Sequence, residues 1–168
     1  KLMFIHLNAY YGKRKLQSNK KDSYSLSMTT NNKIRIKEKI IIDLSTNSSI
    51  LYSEDIHLNE LLFFGGSNSL KGFNDNQFLS NQYSIVTANF SYHLEENTSS
   101  SLFYQQAYFR KEAIDENAIY GWPRSVGAGL DINSKSGILY IQYAIGIYKD
   151  QTFNLQNGRV HLGIQNTF

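Results

Sequence analysis

Hydrophobic and polar residues alternate with a period of two along most of this chain, and the alternation is interrupted once at length. Met3, Ile5, Leu7, Ala9 and Tyr11 interleave with Phe4, His6, Asn8 and Tyr10, which predicts a first strand. Lys13 to Asp22 is polar and reads as a connection. Tyr24, Leu26 and Met28 alternate with serines and Thr29, after which Asn31-Asn32 predicts a tight turn. The most regular run sets Ile34, Ile36, Ile40, Ile42 and Leu44 on one face and Lys33, Arg35, Lys37, Lys39 and Asp43 on the other, with Glu38 and Ile41 out of phase. Its basic face suits the solvated side of a sandwich or a water-filled lumen equally.

Residues 53–82 then show no alternation, and a stretch of about thirty residues without a clear element inside a compact unit calls for a functional explanation. Strand patterning resumes from Ser84 to Leu94 and ends in the polar turn Glu95-Glu96-Asn97-Thr98. Leu102, Tyr104 and Tyr108 interleave with Phe103, Gln105, Ala107 and Phe109, and aromatics on both sides leave the two faces unassigned. Lys111 to Pro123 reads as a polar loop whose closing Tyr120-Gly121-Trp122-Pro123 suits a membrane interface or a packed loop. Three further rows follow: Val126 to Ile132, Leu139 to Ile147, and Val160, Leu162, Ile164 and Phe168. The pattern predicts about eight antiparallel strands of roughly 8 to 13 residues, longer than most soluble strands and near the spanning length of a tilted barrel strand.

Composition narrows this picture. The chain has 168 residues with 41% apolar content, 12 Tyr, 10 Phe, 1 Pro and no Cys. A mean hydropathy of -0.40 is too polar for a helical membrane protein, and no apolar run approaches the ~20 residues of a spanning helix. Aromatic richness with low mean hydropathy fits a transmembrane β-barrel, where every second residue faces water, and also fits an ordinary soluble antiparallel sheet. Without cysteine there is no disulfide framework and no thiolate metal site. The net charge of +3 is small, and the blocks Lys13-Arg14-Lys15 and Lys20-Lys21 read as solvated connections rather than a nucleic-acid surface. Lys1 opens in mid-strand pattern, so the chain is expected to be part of a longer protein.

No catalytic constellation emerges. His6, His57, His93 and His161 have no metal-ligand spacing, Glu95-Glu96 is a charged turn, and Gly65-Gly66 lacks the Gly-Lys-Ser/Thr ending of a phosphate loop. Neither an enzymatic activity nor a cofactor is expected. The informative stretch is Phe63-Phe64-Gly65-Gly66-Ser67-Asn68-Ser69-Leu70-Lys71-Gly72-Phe73, which bends twice and holds one cation between aromatics.

This stretch, with Ser125-Val126-Gly127-Ala128-Gly129-Leu130 and Gly137-Ile138-Leu139-Tyr140-Ile141-Gln142-Tyr143-Ala144 downstream and an aromatic end at Phe168, resembles the barrel of outer-membrane assembly and two-partner-secretion transporters, the BamA, TamA and haemolysin-activator (ShlB/FhaC-like) superfamily. The resemblance covers most of residues 61–168. It implies an all-β fold: the C-terminal half of a sixteen-stranded antiparallel transmembrane barrel, with loop 53–82 folded into the lumen, a closing strand over 158–168, and an N-terminal half and periplasmic domains lying outside this sequence. The implied place is the bacterial outer membrane, and the implied partners are its lipid bilayer, unfolded or secreted β-rich polypeptides, and accessory assembly proteins, with no nucleic acid. The implied activity is insertion or translocation of such polypeptides. Alternatives are a two-partner-secretion pore for one substrate, a small eight-stranded barrel, or a soluble β-sandwich with a structural or adhesive role.

The implied site residues are Gly65, Gly66, Leu70, Lys71, Gly72 and Phe73 in the loop, and His161, Gly163 and Phe168 in the closing strand. Lys71 replaces the family's motif arginine, and Gln105 stands where the family has an inward aspartate. A lysine is a point charge, and Gln105 is expected to offer only a neutral acceptor, which predicts a weakened tether. Asp131, on the same face as Gly127 and Gly129, is the expected replacement partner for Lys71, and Asp43 the second. Alternatively Lys71 contacts loop carbonyls or water. In the terminal signal, Asn166 stands where a hydrophobic residue is usual.

Overall fold

The computed structural model describes residues 2–16, 19–114, 117–134, 137–149, 151 and 153–165. Three long strands, β1 (Leu2–Leu16), β2 (Asn19–Lys37) and β3 (Ile40–Ser53), precede a long loop. The loop carries a 3-10 turn at Leu58–Glu60 and a small hairpin of β4 (Leu62–Phe64) and β5 (Phe78–Ser80). After it come β6 (Gln82–Glu95), β7 (Thr98–Lys111), the short β8 (Ile119–Gly121), β9 (Arg124–Ser134), β10 (Gly137–Ile147) and β11 (Arg159–Gln165).

Every long strand pairs antiparallel with its neighbours in sequence, in the order β1-β2-β3-β6-β7-β9-β10-β11, while β8 pairs with β7 and the β4-β5 hairpin stands apart. One continuous meander replaces the two stacked sheets that the sandwich alternative requires. Among the described residues β1 and β11 each have a single partner, so the sheet ends in two edges.

The eight strands of the continuous path match the number the sequence pattern predicts, with the short β4, β5 and β8 added, but several boundaries move. The predicted turn at Asn31-Asn32 is absent: β2 runs through both residues, pairing Asn31 with Ser45 and Asn32 with Leu44. The turn lies at Glu38-Lys39 instead. The two-residue turn pairs Lys37 with Ile40, residues of opposite parity, and the bulge between Arg35 and Lys37 then sets Ile34 opposite Ile42, so Ile34, Ile40, Ile42 and Leu44 share a face although they divide between β2 and β3. Asn31 is tolerated mid-strand because it lies on the polar, inward face opposite Ser45, while Asn32 lies on the outward face opposite Leu44. Lys13 to Asp22 is likewise not a free connection, because β1 and β2 stay paired from Lys13↔Asp22 out to Leu16↔Asn19 and carry the basic blocks as hairpin. Tyr11 reinforces that hairpin by donating its hydroxyl to Asp22 Oδ1 at 3.0 Å and packing its ring at a tilt against Tyr24. The 111–123 segment is no plain loop either, since β8 extends the sheet beside Phe109 to Lys111.

The two faces of the sheet separate by chemistry. Leu26, Leu102, Val126, Ile141 and Leu162 lie on one face and are exposed. Ser27, Ser49, Thr87, Gln105 and Ser125 lie on the other, joined by hydroxyl and amide hydrogen bonds, together with the buried Ser101. This reverses the soluble rule: the apolar face looks outward over its whole width, as a wall against lipid does, and the polar face looks inward. It also settles β7, where Leu102 and Tyr104 point out and Phe103, Gln105, Ala107 and Phe109 point in.

Candidate functional site

The loop between β3 and β6 folds back onto the inward face and makes the chain's main core there. Phe64, Leu70, Phe73 and Phe78 from the loop pack with Ile85, Ala107 and Phe109 of β6 and β7, and Tyr83 and Tyr148 close the cluster. The rings meet at 4.9 to 6.0 Å between centroids, with Phe64 stacked on Phe78 and Phe73 edge-on to it. Leu70 is fully buried. A second cluster of Ile56, Leu61 and Ala113 fixes the loop's base.

Tight turns shape the motif. Gly65 N–H donates to Ser69 Oγ at 2.7 Å, Gly66 N–H to the Leu70 carbonyl at 2.9 Å, and Ser69 N–H back to the Gly66 carbonyl at 3.2 Å. Gly66 has φ +90°, and a Cβ there would collide with Asp75. Gly72 has φ +80° and lies so close to β10 that a Cβ would come 2.5 Å from the Gly146 nitrogen. Only glycine meets both the sign of φ and the space.

Gln105 is the principal fastening. It is 2% exposed, and its Oε1 accepts the Lys71 N–H at 2.9 Å and the Ser125 hydroxyl at 3.2 Å. Its Nε2 donates to the Ser69 carbonyl at 2.9 Å and to Thr87 Oγ1 at 3.0 Å. The orientation of the amide follows from these partners, because the reverse flip would face an NH2 to an N–H and an oxygen to a carbonyl. The expectation that Gln105 offers only an acceptor is therefore corrected: it engages the loop's main chain in both directions, which an aspartate, able only to accept, does not do.

Gly72 N–H, the next amide along, donates to His161 Nε2 at 3.1 Å. Successive residues lie about 3.8 Å apart, whereas β7 and β11 are separated by three strand spacings of about 4.8 Å each. Two adjacent amides reach both strands because the sheet curves and the inward side chains of β7 and β11 converge on the loop.

Lys71 directs its ammonium to the Phe103 ring, 4.8 Å from the centroid. Gly127, opposite Phe103 on β9, leaves the room that ring occupies. Burial lowers the Lys71 pKa from its ordinary value, and the Asp131 carboxylate opposes that shift. Lys71 and Asp131 border one open cavity of about 660 Å³ with Asp43, His93 and Gln142, and among the described residues no direct ion pair joins them. Asp43, on the same cavity, has its Oδ2 3.8 Å from Lys33 Nζ.

The predicted loop residues, Gln105, Asp131 and His161 thus gather at one place. Gly163 serves differently, making room for the Tyr140 ring on the neighbouring strand. Phe168 and Asn166 lie outside the described residues. Sequence reasoning missed Ser69, Thr87, Ser125, Phe103 and Gly146. Only Gly146, a glycine inside an apolar strand row, carried a readable signal of close backbone approach. The family model of the Omp85 superfamily domain matches residues 4–168. No curated protein matches the chain.

Proposed function

This chain belongs to the Omp85 superfamily, and from that membership we propose that it forms the C-terminal half of a sixteen-stranded outer-membrane barrel that inserts or translocates β-rich polypeptides. An eight-stranded barrel has an interior just filled by its own wall side chains. Here an entire loop with its own aromatic core occupies the inward side, so the wall belongs to a wider cylinder. That packed loop, fastened to β7 and β11, is the observation that carries the reading.

The activity needs no fuel in this reading. In the whole barrel β11 would be the closing strand, and where its seam with the first strand opens it would present unpaired N–H and C=O groups on which an incoming strand can form a ladder. The apolar outer face meets lipid while the client adds strand by strand. Photocrosslinking in the intact protein tests this: a benzophenone side chain at Leu162 on β11 is expected to capture a folding barrel client, and one at Phe90 on β6 is not. Vesicles carrying the protein should also fold that client several-fold faster than empty vesicles. Equal capture at both positions, or no acceleration, refutes the reading.

A further inference from the structure

The loop meets the wall in two unlike ways. At Gln105 four hydrogen bonds lie buried among Ser69, Lys71, Thr87 and Ser125. At His161 a single bond reaches Gly72, across 89 residues of sequence. Beside it opens a pocket lined by Phe73, Asn74, Asp75, Arg159, Val160 and His161. Freeing the loop from Gln105 requires its bonds to the Lys71 N–H and the Ser69 carbonyl to break together, whereas one hydrogen bond joins the loop to β11 at this point.

On β11 the inward positions Arg159, His161 and Gly163 face the loop; His161 makes the hydrogen bond to it, and Gly163 has no side chain to give. Because Nε2 accepts, the neutral imidazole carries its proton on Nδ1.

We propose that His161 is a positioning residue for strand exchange: it latches the terminal strand to the lumen loop through the Gly72 amide, while Gln105 anchors that loop to β7 permanently. Release of the latch frees β11 to move without unseating the loop. The inference rests on the insertion reading above for its purpose, though not for its geometry.

The test compares H161Q, whose amide oxygen reaches about as far as Nε2 and still accepts, with H161F, which keeps a ring and has no acceptor. In the intact protein in lipid vesicles, hydrogen exchange at Gly72 and through 159–165 should quicken about fivefold to tenfold in H161F, stay near wild type in H161Q, and remain unchanged around Gln105 in both. Exchange in H161F equal to wild type, or acceleration equal in both variants, overturns the latch. Should H161F not fold, nitrogen NMR of the wild-type protein labelled at histidine decides the matter: the Nδ1–H tautomer with a hydrogen-bonded Nε2 supports it, and an Nε2–H tautomer overturns it. These measurements use no client, so a wild-type protein that inserts nothing would sink the proposed function and leave the latch standing.

Discussion

Replacing Gln105 with Met keeps the side-chain length and removes all four hydrogen bonds of the amide. The Lys71 N–H and the Ser69 carbonyl then lose their wall partner, while the Thr87 and Ser125 hydroxyls can rotate toward others. Each buried polar group left unpaired costs about 1–3 kcal/mol, so the two main-chain groups together set the loss at about 3 kcal/mol, or about a hundredfold in the population of detached loop. Limited proteolysis of the intact protein reads that population, with cleavage expected between Ser67 and Asn76 about two orders of magnitude faster than in wild type. Q105E should fall between the two, since a carboxylate still accepts from Lys71 and Ser125 but sets a negative oxygen against the Ser69 carbonyl. If Q105M is cleaved at the wild-type rate, the loop is held by its aromatic cluster alone and the reasoning fails.

Other substitutions order the remaining contributions. Lys71→Ala forfeits one cation-π contact, worth about 0.5–2 kcal/mol, so its loop should be cleaved faster than wild type and more slowly than Q105M; the reverse order would make the cation the main tether. Gly72→Ala must adopt a left-handed conformation and push on the Gly146 backbone, and a loss of about 2–4 kcal/mol is expected, read as a lowered unfolding temperature on heat-modifiable gels. Gly146→Ala should match it, because its Cβ would come 2.6 Å from the Gly72 carbonyl oxygen. On the outer face, Leu102→Arg should cost about 2–4 kcal/mol of folding stability in vesicles, whereas Asn89→Arg on the inward face should cost little; equal costs would deny the assignment of faces.

The strands were legible because a wall between lipid and water imposes one alternation over its whole length, and the loop because it is the one long stretch free of that demand. Turn placement was less so. Glu38-Lys39 escapes notice because the bulge between Arg35 and Lys37 keeps the isoleucine pattern in step across it, and Asn31-Asn32 misleads because both residues find strand partners, in Ser45 and Leu44, that no local pattern announces. The site was half legible: Gly65, Gly66, Lys71 and Gly72 stand out by spacing, and Gln105 by its departure from a familiar aspartate. What Gln105 does was hidden, since its partners are main-chain groups, which every residue possesses and no sequence displays. The same holds for Gly72 against Gly146, where two backbones meet without side chains.

Main-chain recognition by Gln105 carries a consequence for how the protein can vary. A receptor that reads peptide groups is blind to the letters that bear them, so positions 67 and 68 should tolerate exchange freely, while Ser69, Leu70 and Lys71 are held by what their own side chains do. The wall, by contrast, concentrates its reading of the loop in the amide of Gln105, and variation there reaches the whole insert at once.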